Sequence, residues 1–169
     1  MSRDGWRARL ARVRALVLDV DGVLTDGSLY YGPGGQSFKR FDSKDGMGIV
    51  LVQKAGVRVA FLSAEKTDIV RRRAEKLGVR DLFLGVGDKG EAFERFLRAR
   101  RLKAEETAYA GDDVNDLAPL RRAGVAIAVA DAVEEVRRAA DWVTSRPGGR
   151  GAVREMCDAI LKFRGASVR

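Results

Sequence analysis

Asp19 and Asp21 are separated by one residue at the end of the apolar run Leu16-Val17-Leu18, within Asp19-Val20-Asp21-Gly22-Val23-Leu24-Thr25-Asp26-Gly27. Side chains alternate along a strand, so both carboxylates share a face if the strand runs on to Asp21. If Gly22 opens a turn instead, Asp19 becomes a nucleophilic carboxylate at a strand tip, with Asp21 above it as proton donor and acceptor. Taken alone, the nonapeptide also fits an acidic strand-to-loop junction with no chemistry. The chain has no histidine, which excludes a Ser-His-Asp triad and a histidine-ligated zinc. Carboxylates, lysines and hydroxyls must carry any reaction.

Short apolar runs alternate with longer helical patterns around this pair. The runs predict strands at Ala15–Val20, Val57–Ser63, Leu82–Leu84, Ala108–Gly111 and Val125–Ala128, with a short last one near Trp142-Val143. Helices are expected at Gly46–Ala55, Thr67–Leu77, Gly90–Arg101, Asp116–Arg122, Val133–Ala140 and Gly151–Phe163. This is βαβα order, an α/β fold of the Rossmann-like kind: an open parallel sheet with helices on both faces. The pattern lapses only between Leu29 and Asp45, where the turn signal Tyr30-Tyr31-Gly32-Pro33-Gly34-Gly35 precedes the alternating Gln36-Ser37-Phe38-Lys39-Arg40-Phe41. That reads as a β-hairpin inserted at about 29–41 after the first strand.

In an open parallel sheet the reactive edge lies at the carboxyl ends of the strands. The first strand delivers Asp19 and Asp21 there, the second Ser63, the loop after the third Asp88-Lys89, and the fourth Gly111-Asp112-Asp113-Val114-Asn115-Asp116. Mg²⁺ needs hard oxygen ligands and takes few of them from protein. Asp19 and Asp112 offer two, with Asp113 a further candidate and the Val20 or Asp21 backbone carbonyl completing the set. Ser63 and Lys89 supply a hydroxyl and a positive charge for phosphoryl oxygens. The set suffices for phosphoryl transfer through an aspartyl-phosphate, with Asp21 protonating the leaving alcohol and then activating water. Each member also has a plain reading: Lys89 as a surface lysine, Ser63 and the Asp112–Asp116 run as helix caps. Their joint occurrence at successive strand ends favours the site.

A response-regulator receiver also combines acidic groups, a hydroxyl and a lysine on a parallel sheet. It places its phosphoacceptor on a later strand than its acidic pair and needs no acidic cluster after the lysine, as this chain has. Composition narrows the field further. At 169 residues the chain suits one domain, and its net charge of +8 comes from 32 basic and 24 acidic side chains. The arginines are spread over helical segments without aromatic interleaving, so solvated helix faces are favoured over a nucleic-acid partner. No apolar run reaches bilayer-spanning length, and Met1 to Arg14 is too charged for a signal peptide. The single cysteine, Cys157, excludes an intramolecular disulfide scaffold and is compatible with the cytoplasm.

Together the motifs Asp19 to Thr25, Ser63, Lys89 and Gly111 to Asp116 resemble those of the haloacid dehalogenase superfamily. More narrowly, the nonapeptide, Phe41-Asp42-Ser43-Lys44-Asp45-Gly46-Met47-Gly48-Ile49 and Arg150-Gly151-Ala152-Val153-Arg154-Glu155 are similar to the capless 3-deoxy-D-manno-octulosonate 8-phosphate phosphatases. That resemblance implies Mg²⁺ as cofactor, Asp19 as nucleophile and Asp21 as acid/base. It also implies Ser63 and Lys89 on the phosphate, Asp112 on the metal and Asp116 orienting Lys89. The substrate it implies is a small acidic sugar phosphate, recognised through Ser63, Ala64, Glu65, Lys66 and Arg150. Without a cap domain, the family resemblance implies a homotetramer held by hairpins like Leu29 to Phe41. The segment Arg146-Pro147-Gly148-Gly149-Arg150-Gly151, ahead of the last helix, is then expected to enter a neighbour's site. One departure stands out. Octulosonate enzymes carry glycine and arginine after the serine, whereas Ala64-Glu65 here, with the run to Leu77, resembles the 2-keto-3-deoxy-nononate 9-phosphate phosphatases. Glu65 is expected to repel a sugar carboxylate while offering an acceptor to hydroxyls or an amine.

Overall fold

A computed structural model describes residues 5–165; the first four residues of the charged N-terminal stretch and residues 166–169 lie outside it. The chain runs α1 (Trp6–Leu10), β1 (Ala15–Asp19), β2 (Tyr30–Gly32), β3 (Gly35–Phe38), α2 (Ser43–Lys54), β4 (Arg58–Ser63), α3 (Asp68–Leu77) and β5 (Asp81–Leu84). It continues α4 (Lys89–Arg100), β6 (Thr107–Gly111), α5 (Leu117–Arg122), β7 (Val125–Ala128), α6 (Glu134–Ala139), β8 (Trp142–Val143) and α7 (Ala152–Phe163). One-turn 3₁₀ segments at Ala104–Glu106 and Val114–Asp116 complete it.

Six strands form one parallel sheet in the order β5-β4-β1-β6-β7-β8. Every residue of β1, β6 and β7 is buried, as strands covered by helices on both faces must be. The chain leaves β1 for β4 on one side and later returns to β6 on the other, so β1 and β6 flank the switch point where ligands bind in such sheets. Predicted and observed elements agree within a residue or two, with three instructive differences. Helix α2 begins at Ser43 rather than Gly46, because Asp42 caps it by accepting the N–H groups of Lys44 at 2.7 Å and Asp45 at 3.3 Å. Asp45, buried in the first turn of α2, accepts N–H groups of Gly151 at 3.2 Å and Arg154 at 2.8 Å and so caps α7 from another element. Sequence patterning assigned nothing to Trp6–Leu10, a helix of five residues. It is fixed by packing: Trp6 stacks on Trp142 at 4.9 Å and meets Phe163 edge-on at 6.0 Å.

The hairpin pairs β2 with β3 around Pro33-Gly34, with Tyr30 stacked on Phe38 at 4.4 Å. Its return strand stops at Phe38 and does not run to Phe41, which instead makes an isolated bridge to Thr25. The reason lies in Lys39, whose side chain turns inward to the carboxyl edge of the sheet.

Candidate active site

Strand β1 ends at Asp19, and the chain turns at once: Val20 O accepts the N–H groups of both Leu24 and Thr25 at 3.0 Å. Thr25 Oγ1 pins the turn by accepting from Gly22 N at 3.3 Å and Gly27 N at 3.2 Å. Gly22 has φ +94°, and a Cβ there would fall 2.0 Å from an Asp112 carboxylate oxygen. The turn therefore brings β1 and β6 chemistry into contact only because residue 22 has no side chain. Asp21 is thereby taken off the strand, which decides between the two geometries open at the sequence level.

Lys89, the first residue of α4, is buried, not a surface lysine. Its Nζ donates to Asp19 Oδ1 and Asp116 Oδ1, both at 2.7 Å, and to Asn115 Oδ1 at 3.3 Å. Ser63, the last residue of β4, is buried too; its hydroxyl donates to Asp21 Oδ2 at 3.3 Å and accepts from Glu65 N at 3.1 Å. The cap of α3 is Thr67, so Ser63 is left for the site.

Asp19, Asp112 and Asp116 present carboxylate oxygens within 4.8 Å of one another. Among the described residues one ammonium, Lys89, stands against these three, leaving two negative charges uncompensated when all three are ionised. The protonation equilibria show the strain. Burial pushes Asp19 well above the usual carboxylate range, Asp116 adds to the rise, and Lys89 only partly opposes it. Asp112 is raised to about 6, first by burial and then by Asp116. Burial alone would lower Lys89, but Asp19 and Asp116 reverse it and hold the ammonium charged.

The three carboxylates are not equivalent. Asp116 Oδ1 accepts from Lys89 and from Tyr109 OH at 2.6 Å, while its Oδ2 accepts the N–H groups of Asp112 at 3.0 Å and Asp113 at 3.4 Å. Its lone pairs are spent on holding other groups. Asp19 and Asp112 are the two with free oxygen, and a hard dication fits between them: it matches the missing charge and needs few protein ligands.

Other predicted residues are spread more widely. Asp113 is exposed and caps Val114 N–H at 2.7 Å, away from the cluster. Ala64 joins Val86, Gly87, Lys89, Asn115 and others around a 290 Å³ cleft beside the ammonium. Lys66 is exposed beside Gly85. Arg150 is exposed, 3.6 Å from Asp26, and lines a separate 460 Å³ cleft with Asp42, Arg146 and Arg154. Within its own chain, the segment Arg146–Gly151 packs on the catalytic turn. Gly149 N donates to Val23 O at 2.9 Å, and a Cβ on Gly148 would fall 1.7 Å from Gly22 O. The glycines of that segment serve this intrachain approach.

Lys39 was missed in the sequence reading. Its side chain is 1% exposed, and Nζ donates to Asp21 Oδ1 and, at 2.8 Å, to Glu65 Oε2. These partners are 18 and 26 residues away, so no local spacing signals them. Lys39 pairs with Glu65 as well as with Asp21, so a single ammonium is shared by two carboxylates.

The chain matches the model of the haloacid dehalogenase-like hydrolase family over residues 62–155. It is 43% identical over 159 residues to a 3-deoxy-D-manno-octulosonate 8-phosphate phosphatase of Haemophilus influenzae, covering 94% of this chain and 88% of that one. The corresponding Escherichia coli K12 enzyme is 40% identical, with 94% and 84% covered. A Moraxella catarrhalis enzyme of the same name, solved in complex with a magnesium ion, a phosphate ion and a KDO molecule, superposes with TM-score 0.92 at 33% identity, over 94% and 91% of the two chains. A cobalt-bound Haemophilus influenzae enzyme gives TM-score 0.91 at 43% identity, over 93% and 92%.

Proposed function

Because the chain belongs to the 3-deoxy-D-manno-octulosonate 8-phosphate phosphatase family of the haloacid dehalogenase-like hydrolases, we propose that it hydrolyses an acidic ulosonate phosphate, the octulosonate 8-phosphate first. The observation that carries the reading is Lys89, buried between Asp19 and Asp116 while Asp112 faces Asp19 without a counter-charge.

Asp19 attacks phosphorus in line; its Oδ–P bond forms as the P–O bond to the sugar breaks, and Asp21 gives its proton to the departing oxygen. Asp21 then takes a proton from water, whose oxygen attacks the aspartyl-phosphate, freeing phosphate and restoring Asp19. Lys89 offsets charge on the equatorial oxygens throughout, oriented by Asp116 and Asn115. Ser63, whose hydroxyl contacts Asp21, would donate to the same phosphoryl group. Asp19, Asp112 and the Asp21 carbonyl would hold Mg²⁺; the Val20 carbonyl is already engaged by Leu24 and Thr25. When bound, the ion supplies Lewis-acid stabilisation of the phosphoryl charge. Asp113, capping its own helix, is not needed in this set.

Ala64-Glu65 in place of the octulosonate enzymes' glycine and arginine supports a second reading, a nononate or N-acylneuraminate 9-phosphate. Assembly belongs to the proposal as well. Leu29, Tyr31 and Phe38 of the hairpin are exposed at 51%, 70% and 57%, apolar surface that a homotetramer would cover. Among the described residues no helix is long and apolar enough to cross a membrane; the cytoplasm is the proposed setting.

The test compares kcat/KM for octulosonate 8-phosphate, nononate 9-phosphate and N-acetylneuraminate 9-phosphate, with Mg²⁺ and with excess chelator. The eight-carbon compound should lead, and chelation should abolish all three activities. Preference for a hexose or nucleoside phosphate would remove the substrate assignment, and equal rates in chelator would remove the metal. Light scattering checks the tetramer; a fully active monomer refutes it.

A further inference from the structure

Asp21 must hold its carboxyl over the leaving oxygen; the pinned turn fixes its backbone but leaves its side chain to be oriented by other groups. Its orientation is set from outside. Lys39 Nζ, arriving from the hairpin, donates to Oδ1, and Ser63 Oγ, arriving from β4, donates to Oδ2 at 3.3 Å. The ammonium has a second acceptor in Glu65 Oε2 at 2.8 Å, and with the Gln36 amide turned to the orientation that satisfies its neighbours, the Gln36 oxygen accepts from Lys39 at 3.1 Å while its nitrogen donates to Glu65 Oε2 at 3.2 Å. Burying an ammonium is costly unless it is paired and hydrogen-bonded. A hairpin that needed only to dock could do so through apolar contacts. This one ends in a charged anchor on the residue proposed to move protons.

We propose that Lys39 is a positioning residue for leaving-group protonation, holding Asp21 in line with the departing sugar oxygen, so that the hairpin is a working part of the active site. The proposal rests on the reading of Asp21 as acid/base. Glu65 has a defined part in it. During the half-reaction in which Asp21 carries the proton, Glu65 keeps the buried ammonium paired, so Lys39 need not leave its seat. The proton passes from Asp21 to the alkoxide as the P–O bond breaks and is regained from water, with Lys39 neither gaining nor losing one.

The discriminating experiment uses leaving groups. An aryl phosphate such as 4-nitrophenyl phosphate departs as a stable phenolate and needs little protonation, whereas a sugar alkoxide needs it fully. Wild type, Lys39→Met, Lys39→Arg and Asp21→Asn are assayed on 4-nitrophenyl phosphate and on the ulosonate phosphate turned over best. Read as kcat/KM, which reports only the steps up to departure of the leaving group and so omits the water attack common to both substrates, the loss in Lys39→Met should be on the order of tenfold greater for the sugar phosphate than for the aryl phosphate. Lys39→Arg should recover part of that loss, and Asp21→Asn should show the same discrimination more strongly. Equal loss on both substrates would make Lys39 a structural anchor and overturn the proposal, as would no loss on either. Should Asp21→Asn show no discrimination, the acid/base reading itself falls, a result distinct from failure of Lys39 alone. If Lys39→Met does not fold, Lys39→Gln, which keeps a donor without the charge, answers through the same ratio.

Discussion

The two edges of the sheet solve opposite charge problems with the same side chains. At the amino edge Asp81, at the start of β5, is buried with two guanidinium groups on it: Arg58 Nη1 at 3.1 Å on one oxygen and Arg100 Nε at 2.6 Å on the other. At the carboxyl edge three carboxylates share the single ammonium of Lys89. The amino edge also opens a 320 Å³ cleft lined by Arg14, Arg58, Arg80 and Arg100, but its one carboxylate is already satisfied. A satisfied buried carboxylate ties elements together. A cluster short of positive charge is held at a cost by the rest of the fold, and it can gain when a cation arrives. The contrast separates structural acids from reactive ones without reference to motif.

The sharpest way to break the comparison is at Asp19. Asp19→Asn should bring phosphate release to background even with saturating Mg²⁺, and a variant with normal turnover would remove Asp19 as nucleophile. Next come the neighbours Asp112 and Asp113, adjacent in sequence but opposite in placement. Asp112→Ala should raise the Mg²⁺ concentration for half-maximal activity by at least about 100-fold, whereas Asp113→Ala, which removes only a cap, should leave it near wild type. Equal effects would show that the exposed carboxylate also reaches the ion.

At the other edge, Asp81→Ala should cost about 1–3 kcal/mol in denaturant unfolding, since Arg58 and Arg100 are half-exposed and regain water when their partner is lost. Its kcat should be unchanged; a fall in kcat at unchanged stability would erase the distinction between the edges. The smallest effect expected is a pH dependence of the chelated protein. Asp112 titrates near the usual 3.8 when unfolded but at about 6 when folded. The folded state therefore binds the extra proton, and the stability so gained is full below 3.8 and lost as pH rises through about 6. The melting temperature in chelator should fall between about pH 5 and about pH 7.5, and Mg²⁺ should raise it more at the higher pH. A larger Mg²⁺ effect at the lower pH would contradict the assignment of Asp112.

Residues at strand ends were legible because parallel strands deliver them to one edge whatever the details of packing. Asp19, Ser63, Lys89 and the Asp112–Asp116 run were all found that way. The five-residue helix Trp6–Leu10 was not, since it is too short to show a period and is held by Trp142 and Phe163. Lys39 sat in a segment whose alternation suggested only a strand. The seat of Arg146–Gly151 was missed for a related reason: glycines advertise close approach but not to what.

The amino-acid sequence by itself determined the chemical inventory and the layout. A chain without histidine must work with carboxylates, ammonium groups and hydroxyls, and periodicity with turn residues sets a parallel α/β order, because both are local properties. Tertiary structure alone decided how charge is distributed among those groups: Asp116 spent on Lys89, Tyr109 and two backbone N–H groups, Asp112 left facing Asp19, and Lys39 drawn from the hairpin onto Asp21. Whether a carboxylate is satisfied depends on groups tens of residues away and on how much water the packing excludes. Neither is written in the spacing of its neighbours.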